Sequence, residues 1–198
     1  MRIGIIGGSG DFGQGLAERL RRLGEEVVIG SRTPREGFVS NKEACRGSEI
    51  VFLSIPPAGV EDMCLALAGD VAGKITVSVA SPIVFRDSLP GAAPGGISLA
   101  ETAARAAPRA RIIAGFHTVS ARALARANEP LSEDVILCGD DKEAKKVVAE
   151  LAERLVEGRA VDAGRLEVAR WLEPLTAVLL NVNRIYKVNS GIRITGLD

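Results

Sequence analysis

A glycine-rich stretch near the amino terminus has the residue types and the spacing of a phosphate-binding turn. Its residues fit the pattern G-x-G-x-x-G and are Gly8, Ser9, Gly10, Asp11, Phe12 and Gly13. In such turns the glycines permit a tight bend, let backbone amides approach a pyrophosphate, and let the helix pack on the preceding strand. The helix N-terminus adds unpaired N–H groups and a positive dipole end. The pattern follows a strand-like run and opens a helix-like run, which favours a dinucleotide over a ligand-free turn.

The end of the second strand-like run indicates which dinucleotide is bound. An NAD site usually has Asp or Glu there for the ribose 2′-hydroxyl, whereas this chain has Gly30, Ser31, Arg32 and Thr33. An arginine offers a planar donor fork to a 2′-phosphate, and hydroxyls add further donors. The sequence therefore predicts NADP, with Ser31, Arg32 and Arg35 at the 2′-phosphate. The alternative is that these arginines are ordinary solvated loop residues.

Three further strand ends are predicted to line the ligand cleft, because doubly wound sheets bind ligands beyond the carboxyl ends of their strands. The residues at these ends are Ser54, Ile55, Pro56, Ala80, His117 and Thr118. His117 is the only histidine, and it is either a hydrogen-bond donor that positions a ligand or a satisfied core residue. The sequence contains no convincing acid–base constellation and no metal-ligand spacing, so we predict no catalytic acid or base and no metal site.

Hydrophobic periodicity predicts the helices and strands that position these residues. Helical patterns cover residues 13–24 and the stretch after Asp140, which we predict to be the helix cap. The Pro/Gly-rich stretch 81–96 predicts a mobile loop, and at most two helical turns fit between the second and third strands. Strand patterns cover residues 2–7, 26–30, 49–55, 74–80, 110–116, 134–139 and 159–164. This alternation predicts an α/β fold: a Rossmann-type, doubly wound parallel sheet over residues 1–163.

Residues 164–198 are predicted to form a small C-terminal helical segment, with Pro174 starting or kinking a helix. An apolar stripe at helical spacing runs along it: Trp171, Leu172, Leu175, Val178, Leu179, Val182 and Ile185. Large exposed apolar patches usually mark interfaces. The stripe therefore predicts a homodimer built partly on this segment.

The composition and the cysteine spacing argue against several other classes of protein. The 198 residues include 25 basic and 25 acidic side chains, and this zero net charge argues against nucleic acid as the main partner. No run of eighteen apolar residues predicts a membrane span, and the amino terminus does not resemble a signal peptide, so we expect a cytoplasmic protein. Cys45, Cys64 and Cys138 have no metal-site or disulfide spacing and are predicted to be buried apolar residues.

Five segments together resemble the archaeal NADPH:F420 oxidoreductases, and the resemblance covers nearly the whole chain: GGSGDFGQGLAERL, VVIGSR, FHTVSA, VILCGDDKEAKKVV and LEPLTAVLLNVNRI. The resemblance implies a Rossmann domain, NADP, a helical C-terminal part used in a homodimer, and hydride transfer between the nicotinamide and F420, an 8-hydroxy-5-deazaflavin. It also implies that Ser9 to Gly13 hold the pyrophosphate and that Ser31 and Arg32 hold the 2′-phosphate. Ile55-Pro56 and His117-Thr118 would border the nicotinamide and the deazaflavin.

Other functions stay open at this stage. One is an NADPH-dependent reductase of FMN, FAD, ferric ion or a cyclic imine, and another is a non-catalytic NADPH-binding sensor. Small redox coenzymes are the expected partners in the enzymatic cases. F420 carries an anionic phosphate and glutamate tail, which a cationic rim would attract. Such a rim, or else a solvated helix face, is formed by Arg105, Arg109, Arg111, Arg122 and Arg126.

Overall fold

The computed structural model describes residues 1–87, 89–92 and 96–197. Runs rich in Ile and Val form its strands, which are β1 Arg2–Ile6, β2 Glu26–Ser31, β3 Val39–Ser40, β4 Ile50–Leu53, β5 Ile75–Ser78, β6 Ile83–Arg86, β7 Leu89–Ala92, β8 Arg111–Gly115, β9 Val135–Gly139 and β10 Ala160–Asp162. The α-helices are α1 Asp11–Arg22, α2 Asn41–Cys45, α3 Val60–Leu67, α4 Leu99–Ala106, α5 Ala121–Ala125, α6 Lys142–Glu153, α7 Ala169–Leu172 and α8 Leu175–Tyr186.

Eight strands form one central sheet in the order β10-β9-β8-β5-β4-β1-β2-β3. The pairs from β3 across to β8 are parallel, which confirms the predicted Rossmann-type α/β fold. The carboxyl ends of β1, β2, β4, β5 and β8 therefore meet at one edge, which we call the carboxyl edge. Ligands of such sheets bind along this edge.

The prediction of a uniformly parallel sheet was wrong at its far side. β9 runs antiparallel to β8, and β10 is parallel to β9. A parallel crossover needs a long connection, usually a helix that returns to the other edge. The only helix between β8 and β9 is α5, with five residues, which spans about 7.5 Å against about 16 Å for a five-residue strand. The chain therefore re-enters the sheet from the carboxyl edge and runs backwards.

Both faces of the sheet are covered by apolar helix faces. On one face, α1 and α6 contribute Leu16, Leu20, Val148 and Leu151 to a buried cluster. On the other face, buried residues of α3, α4 and α7 form a second cluster. Cys45, Cys64 and Cys138 are all buried, as predicted, and burial raises the pKa of Cys45 and of Cys64 to about 11.

A buried arginine fixes α5 against α1. The guanidinium of Arg19, on α1, donates hydrogen bonds of 2.8–3.0 Å to the carbonyl oxygens of Ala123, Leu124, Arg126 and Glu129. Bonds from a charged donor are stronger than neutral ones. Arg19 therefore holds the end of α5 and the turn that follows it in one position.

Several local predictions can be compared with the structure. α2 is short, as predicted, but the cap of α6 is Asp141 rather than Asp140, because the Asp141 side chain accepts from the Ala144 amide. The stretch predicted as a mobile loop contains the hairpin β6–β7, while residues 88 and 93–95 of that stretch lie outside the described residues. Within the described chain, no helix is both long enough and apolar enough to cross a membrane.

The C-terminal stripe is divided between the core and the surface. Pro174 immediately precedes α8, as predicted. Leu172 is buried in the second cluster and Leu175 packs against it, whereas Val178 and Ile185 are exposed. The last strand ends at Asp162 and the elements that follow are helical. The division into domains at residue 163 stays a prediction.

Candidate functional site

Two cavities open at the carboxyl edge, beside the N-terminus of α1. The larger has a volume of about 970 Å³ and the smaller about 550 Å³. The predicted site residues that line the larger cavity are Ser9, Gly10, Asp11, Phe12, Ser31, Arg32, Arg35, Ser54, Ile55, Pro56 and Ala80. His117 and Thr118 line the smaller cavity. Gly8 and Gly13 line neither.

The glycines of the turn allow close approach between α1 and the strands. A Cβ on Gly13 would lie 2.4 Å from the Cα of Gly8, so α1 could not pack where it does. A Cβ on Gly8 would lie 2.7 Å from Ile29, and Gly8 donates its amide to the Gly30 carbonyl. The tight bend itself occurs at Gly7, whose φ of +66° favours glycine. The sequence interpretation omitted Gly7, although the Gly7-Gly8 doublet was a signal for it.

The amides at the start of α1 face the larger cavity without a capping side chain. Gly10 is the N-cap residue, its own position is open to solvent, and no side chain accepts from the first turn. Four other helices have such an acceptor, provided by Ser40, Ser98, Ser120 and Asp141. Uncapped amides and the helix dipole together favour an anionic group. The first turn of α1 is therefore suited to a phosphate.

The far end of the larger cavity is cationic. Arg32 and Arg35 line it together with Ser31 and Thr33. The Arg35 guanidinium lies 4.8 Å from the centre of the Phe38 ring, a cation–π contact that leaves its donors available. The Arg32 side chain forms no ion pair with any residue that the structure describes. This end can bind a second phosphate.

A buried asparagine supports the wall of the larger cavity between these two ends. The Oδ1 of Asn41, at the start of α2, accepts from the Gly7 amide at 3.3 Å. A Cβ on Gly30 would lie 2.6 Å from the same oxygen. Asn41 thus fixes the glycine turn relative to the end of β2. The sequence interpretation missed it, because no local pattern marks an asparagine whose partner is 34 residues away.

The two cavities meet at a shared wall. Five residues line both of them: Asp11, Phe12, Val79, Ser81 and Thr176. The Thr176 hydroxyl, from α8, donates to the His117 carbonyl at 2.8 Å and lies 2.8 Å from the Ser81 hydroxyl. Three segments far apart in sequence are therefore joined where the cavities meet. Neither Ser81 nor Thr176 was predicted as a site residue.

His117 is a neutral group at this junction. Its side chain is buried; the Ala80 backbone interacts with the imidazole, but neither ring nitrogen forms a hydrogen bond of standard geometry among the described residues. Burial lowers the pKa of His117 to about 4, opposed in part by the Ala80 backbone. The preceding Phe116 has a φ of +65°, which is strained for an aromatic residue. At neutral pH the imidazole therefore has donor and acceptor capacity but no charge.

A buried carboxylate anchors the helices that close the smaller cavity. Glu173, just before α8, accepts from the amides of Leu99 and Ala100 at the N-terminus of α4, both at 2.9 Å. These bonds favour the ionised form, but burial outweighs them and raises the pKa of Glu173 to about 7. Glu101 on α4 forms a two-point ion pair with Arg170. These contacts fix the position of α8 relative to the sheet.

Most of the arginine cluster considered as a cationic rim lies elsewhere. The Arg109 carbonyl accepts from Gly73 before β5, at the edge opposite to the cavities. Arg111 pairs with Asp141, and Arg126 pairs with Glu129. Only Arg122 of the five lines the smaller cavity. The five arginines are close in sequence, but β8 separates them, so that those before it and those after it lie at opposite edges of the sheet.

Several known proteins with similar sequences and folds are named F420-dependent NADP reductases. The family described as NADP oxidoreductase, coenzyme F420-dependent, matches residues 2–82. The chain is 35% identical to an F420-dependent NADP reductase of Methanothermobacter thermautotrophicus, covering 100% of this chain and 96% of that one. It is 32% identical to the reductase of the same name from Methanocaldococcus jannaschii, covering both completely. A crystal structure from Arthrobacter sp. FB24, assigned as an F420-dependent NADP reductase, superposes with a TM-score of 0.87 at 26% identity and covers 98% of this chain and 99% of that one.

The buried carboxylate predicts a pH dependence of stability. The Glu173 pKa is about 7 in the folded protein against 4.5 when exposed, so its contribution to folding is lost as pH rises from 4.5 through 7. We expect this loss to be on the order of 3 kcal/mol. In urea unfolding between pH 5 and 8, Glu173→Gln should lack this decline.

Two features make this measurement specific. His117 has the opposite pH dependence, but it is present in both proteins and cancels in their difference. Glu167→Gln is the matched control, because Glu167 is exposed nearby, and it should retain the wild-type slope. Parallel pH profiles for wild type and Glu173→Gln would show that the carboxylate stays ionised throughout.

Proposed function

The chain belongs to the family of F420-dependent NADP reductases, and from this premise we propose that it transfers a hydride between NADPH and the deazaflavin F420. The observation that carries the proposal is the pair of cavities with one shared wall. A hydride moves directly between two carbon atoms, so two coenzymes must meet ring to ring. The larger cavity suits the dinucleotide, and the smaller cavity suits the second ring system.

The larger cavity has groups that fit both phosphate-bearing parts of NADP. The uncapped first turn of α1, at Gly10, Asp11 and Phe12, would hold the pyrophosphate. Arg32, with Arg35 and Ser31, would hold the 2′-phosphate. Ser54, Ile55, Pro56 and Ala80 would then line the path from the adenosine end towards the shared wall. Gly8 and Gly13 support this site by packing rather than by contact.

The smaller cavity has the properties of a site for a planar ring. Phe116, Val119, Leu179 and Leu180 give it apolar walls. His117 and Thr118 line the same cavity, and their side-chain polar atoms are buried and form no hydrogen bond of standard geometry among the described residues. Buried polar groups are normally satisfied. These two residues would border the ring, and a small rotation of either side chain would bring an unsatisfied polar atom to its edge.

The protein's part in this reaction is positional. When bound, the nicotinamide and the deazaflavin supply the redox chemistry. Ser81 and Thr176 hold the shared wall in place through their hydroxyl contact and the bond to His117. His117 stays uncharged at neutral pH because its pKa is about 4. It therefore acts as a positioning residue, and the proposed reaction uses no side chain as a general acid or base.

Turnover with several acceptors tests the proposal. Purified protein mixed with NADPH and F420 should bleach the deazaflavin absorbance with matching loss of NADPH. FMN, FAD, ferric ion and a cyclic imine serve as competing acceptors under the same conditions. Rapid NADPH oxidation with one of these and none with F420 would reassign the protein as another reductase. Tight NADPH binding without oxidation by any acceptor would indicate a sensor.

The choice of nucleotide has its own test. We expect at least a tenfold preference for NADPH over NADH, about 1.4 kcal/mol or more. Arg32→Ala should weaken NADPH binding by a similar factor and leave NADH binding nearly unchanged, because only NADPH carries the 2′-phosphate. Arg46→Ala is the control, since Arg46 is exposed and lines neither cavity. Equal losses for both nucleotides would contradict the assignment of Arg32.

We also propose that two copies associate through the exposed part of the C-terminal stripe. Trp171, Val178 and Ile185 are 66%, 56% and 67% exposed, and Tyr186 continues the surface at 71%. Exposed aromatic and aliphatic side chains on one segment favour an interface. A two-fold axis would bring the same surface of each copy together.

Light scattering at micromolar concentration tests this association. We expect about twice the chain mass of 20.8 kDa. The double variant Val178→Glu/Ile185→Glu should shift the protein to monomer, because it places charge in the apolar interface. Leu65→Glu, at an equally exposed position on α3, should leave the mass unchanged. A wild-type monomer would refute the proposal.

A further inference from the structure

Two arginines from different helices stand at the smaller cavity. Arg122 is on α5 and Arg184 is on α8, and both line this cavity with exposed side chains. Among the residues that the structure describes, neither guanidinium forms an ion pair. Each therefore keeps its planar donor fork available, the geometry that matches phosphate and carboxylate oxygens.

Apolar and charged residues line different parts of the smaller cavity. Its apolar part is walled by the buried Phe116 and Val119 and the half-buried Leu180, and His117 there is uncharged at neutral pH. The charged residues that line it are Arg122, Arg184 and Asp11. Asp11 lies on the wall shared with the larger cavity. An occupant with an apolar ring and an anionic arm therefore matches this cavity.

We propose that Arg122 and Arg184 bind the anionic arm of the deazaflavin, with its phosphodiester as the primary contact. The inference rests on the proposed function, because that function supplies an acceptor with such an arm. It also replaces the five-arginine rim considered from the sequence with one of its members and one arginine that lies 62 positions further along the chain. The pair thus determines affinity for the phosphorylated coenzyme and leaves the transfer step unchanged.

Charge-neutral variants with a matched control test the assignment. Arg122→Gln/Arg184→Gln removes both cations from the cavity. Arg105→Gln/Arg109→Gln removes the same charge from residues that line neither cavity. Each protein is assayed with F420 and with the same deazaflavin carrying only its ribityl chain. Binding without turnover is measured by quenching of deazaflavin fluorescence in the presence of NADP⁺.

For Arg122→Gln/Arg184→Gln we expect KM and Kd for F420 to rise at least tenfold, with kcat and the ribityl compound changed less than twofold. The control variant should match wild type. KM for F420 should rise with salt in wild type and lose most of this dependence in the variant, because screening weakens exposed charge pairs.

The outcomes separate this inference from the proposed function. If wild type reduces F420 and the cavity variant has an unchanged KM for it, the function stands and the arginine assignment is wrong. Equal losses for F420 and the ribityl compound would also overturn the assignment, because the arginines would then act on the ring or on the fold. If wild type neither binds nor reduces F420, both proposals fall together.

Discussion

Both cavities depend on how closely α1 approaches β1. The contact has no space for a side chain at Gly13, where a Cβ would lie 2.4 Å from the Cα of Gly8. With α1 seated there, its uncapped first turn faces the larger cavity. Further along the same helix, Arg19 fastens the end of α5, which forms part of the smaller cavity. One rigid helix therefore sets the positions of two binding surfaces relative to each other.

The second constraint is the docking of the C-terminal helices. Glu173 binds the amides of α4, and Thr176 reaches the His117 carbonyl three residues later. These contacts bring a segment with no strand of its own against the carboxyl edge of the sheet. Without them the smaller cavity would lack the wall formed by Leu179, Leu180 and Asn183. Apart from Thr176, the described lining of the larger cavity comes from the sheet and the segments between its strands, and the C-terminal helices complete the space beside it.

Local patterns were more informative about the larger cavity than about the smaller one. Ser9, Arg32 and Pro56 could be placed from sequence because each lies within three residues of the carboxyl end of a strand, and parallel strands end at the same edge. Asn41 and Thr176 were missed because their contacts are with residues tens of positions away. The reversal of β9 was missed because the short α5 carries no periodicity that distinguishes a crossover from a return. Sequence pattern thus predicts chemistry that lies on single strand ends, while contacts made by docking need the folded chain.

The distribution of cavity residues along the chain also orders their appearance during synthesis. Among the described residues, Thr176 is the one that lines the larger cavity and lies after Ser81, whereas most of the smaller cavity comes from Phe116 onwards. A chain growing from its amino terminus therefore has nearly all of the larger cavity before most of the smaller one exists. At that stage β5 has a bare edge, because its partner β8 begins only at Arg111. A dinucleotide bound to the half-made sheet would add its binding free energy while that edge is still open.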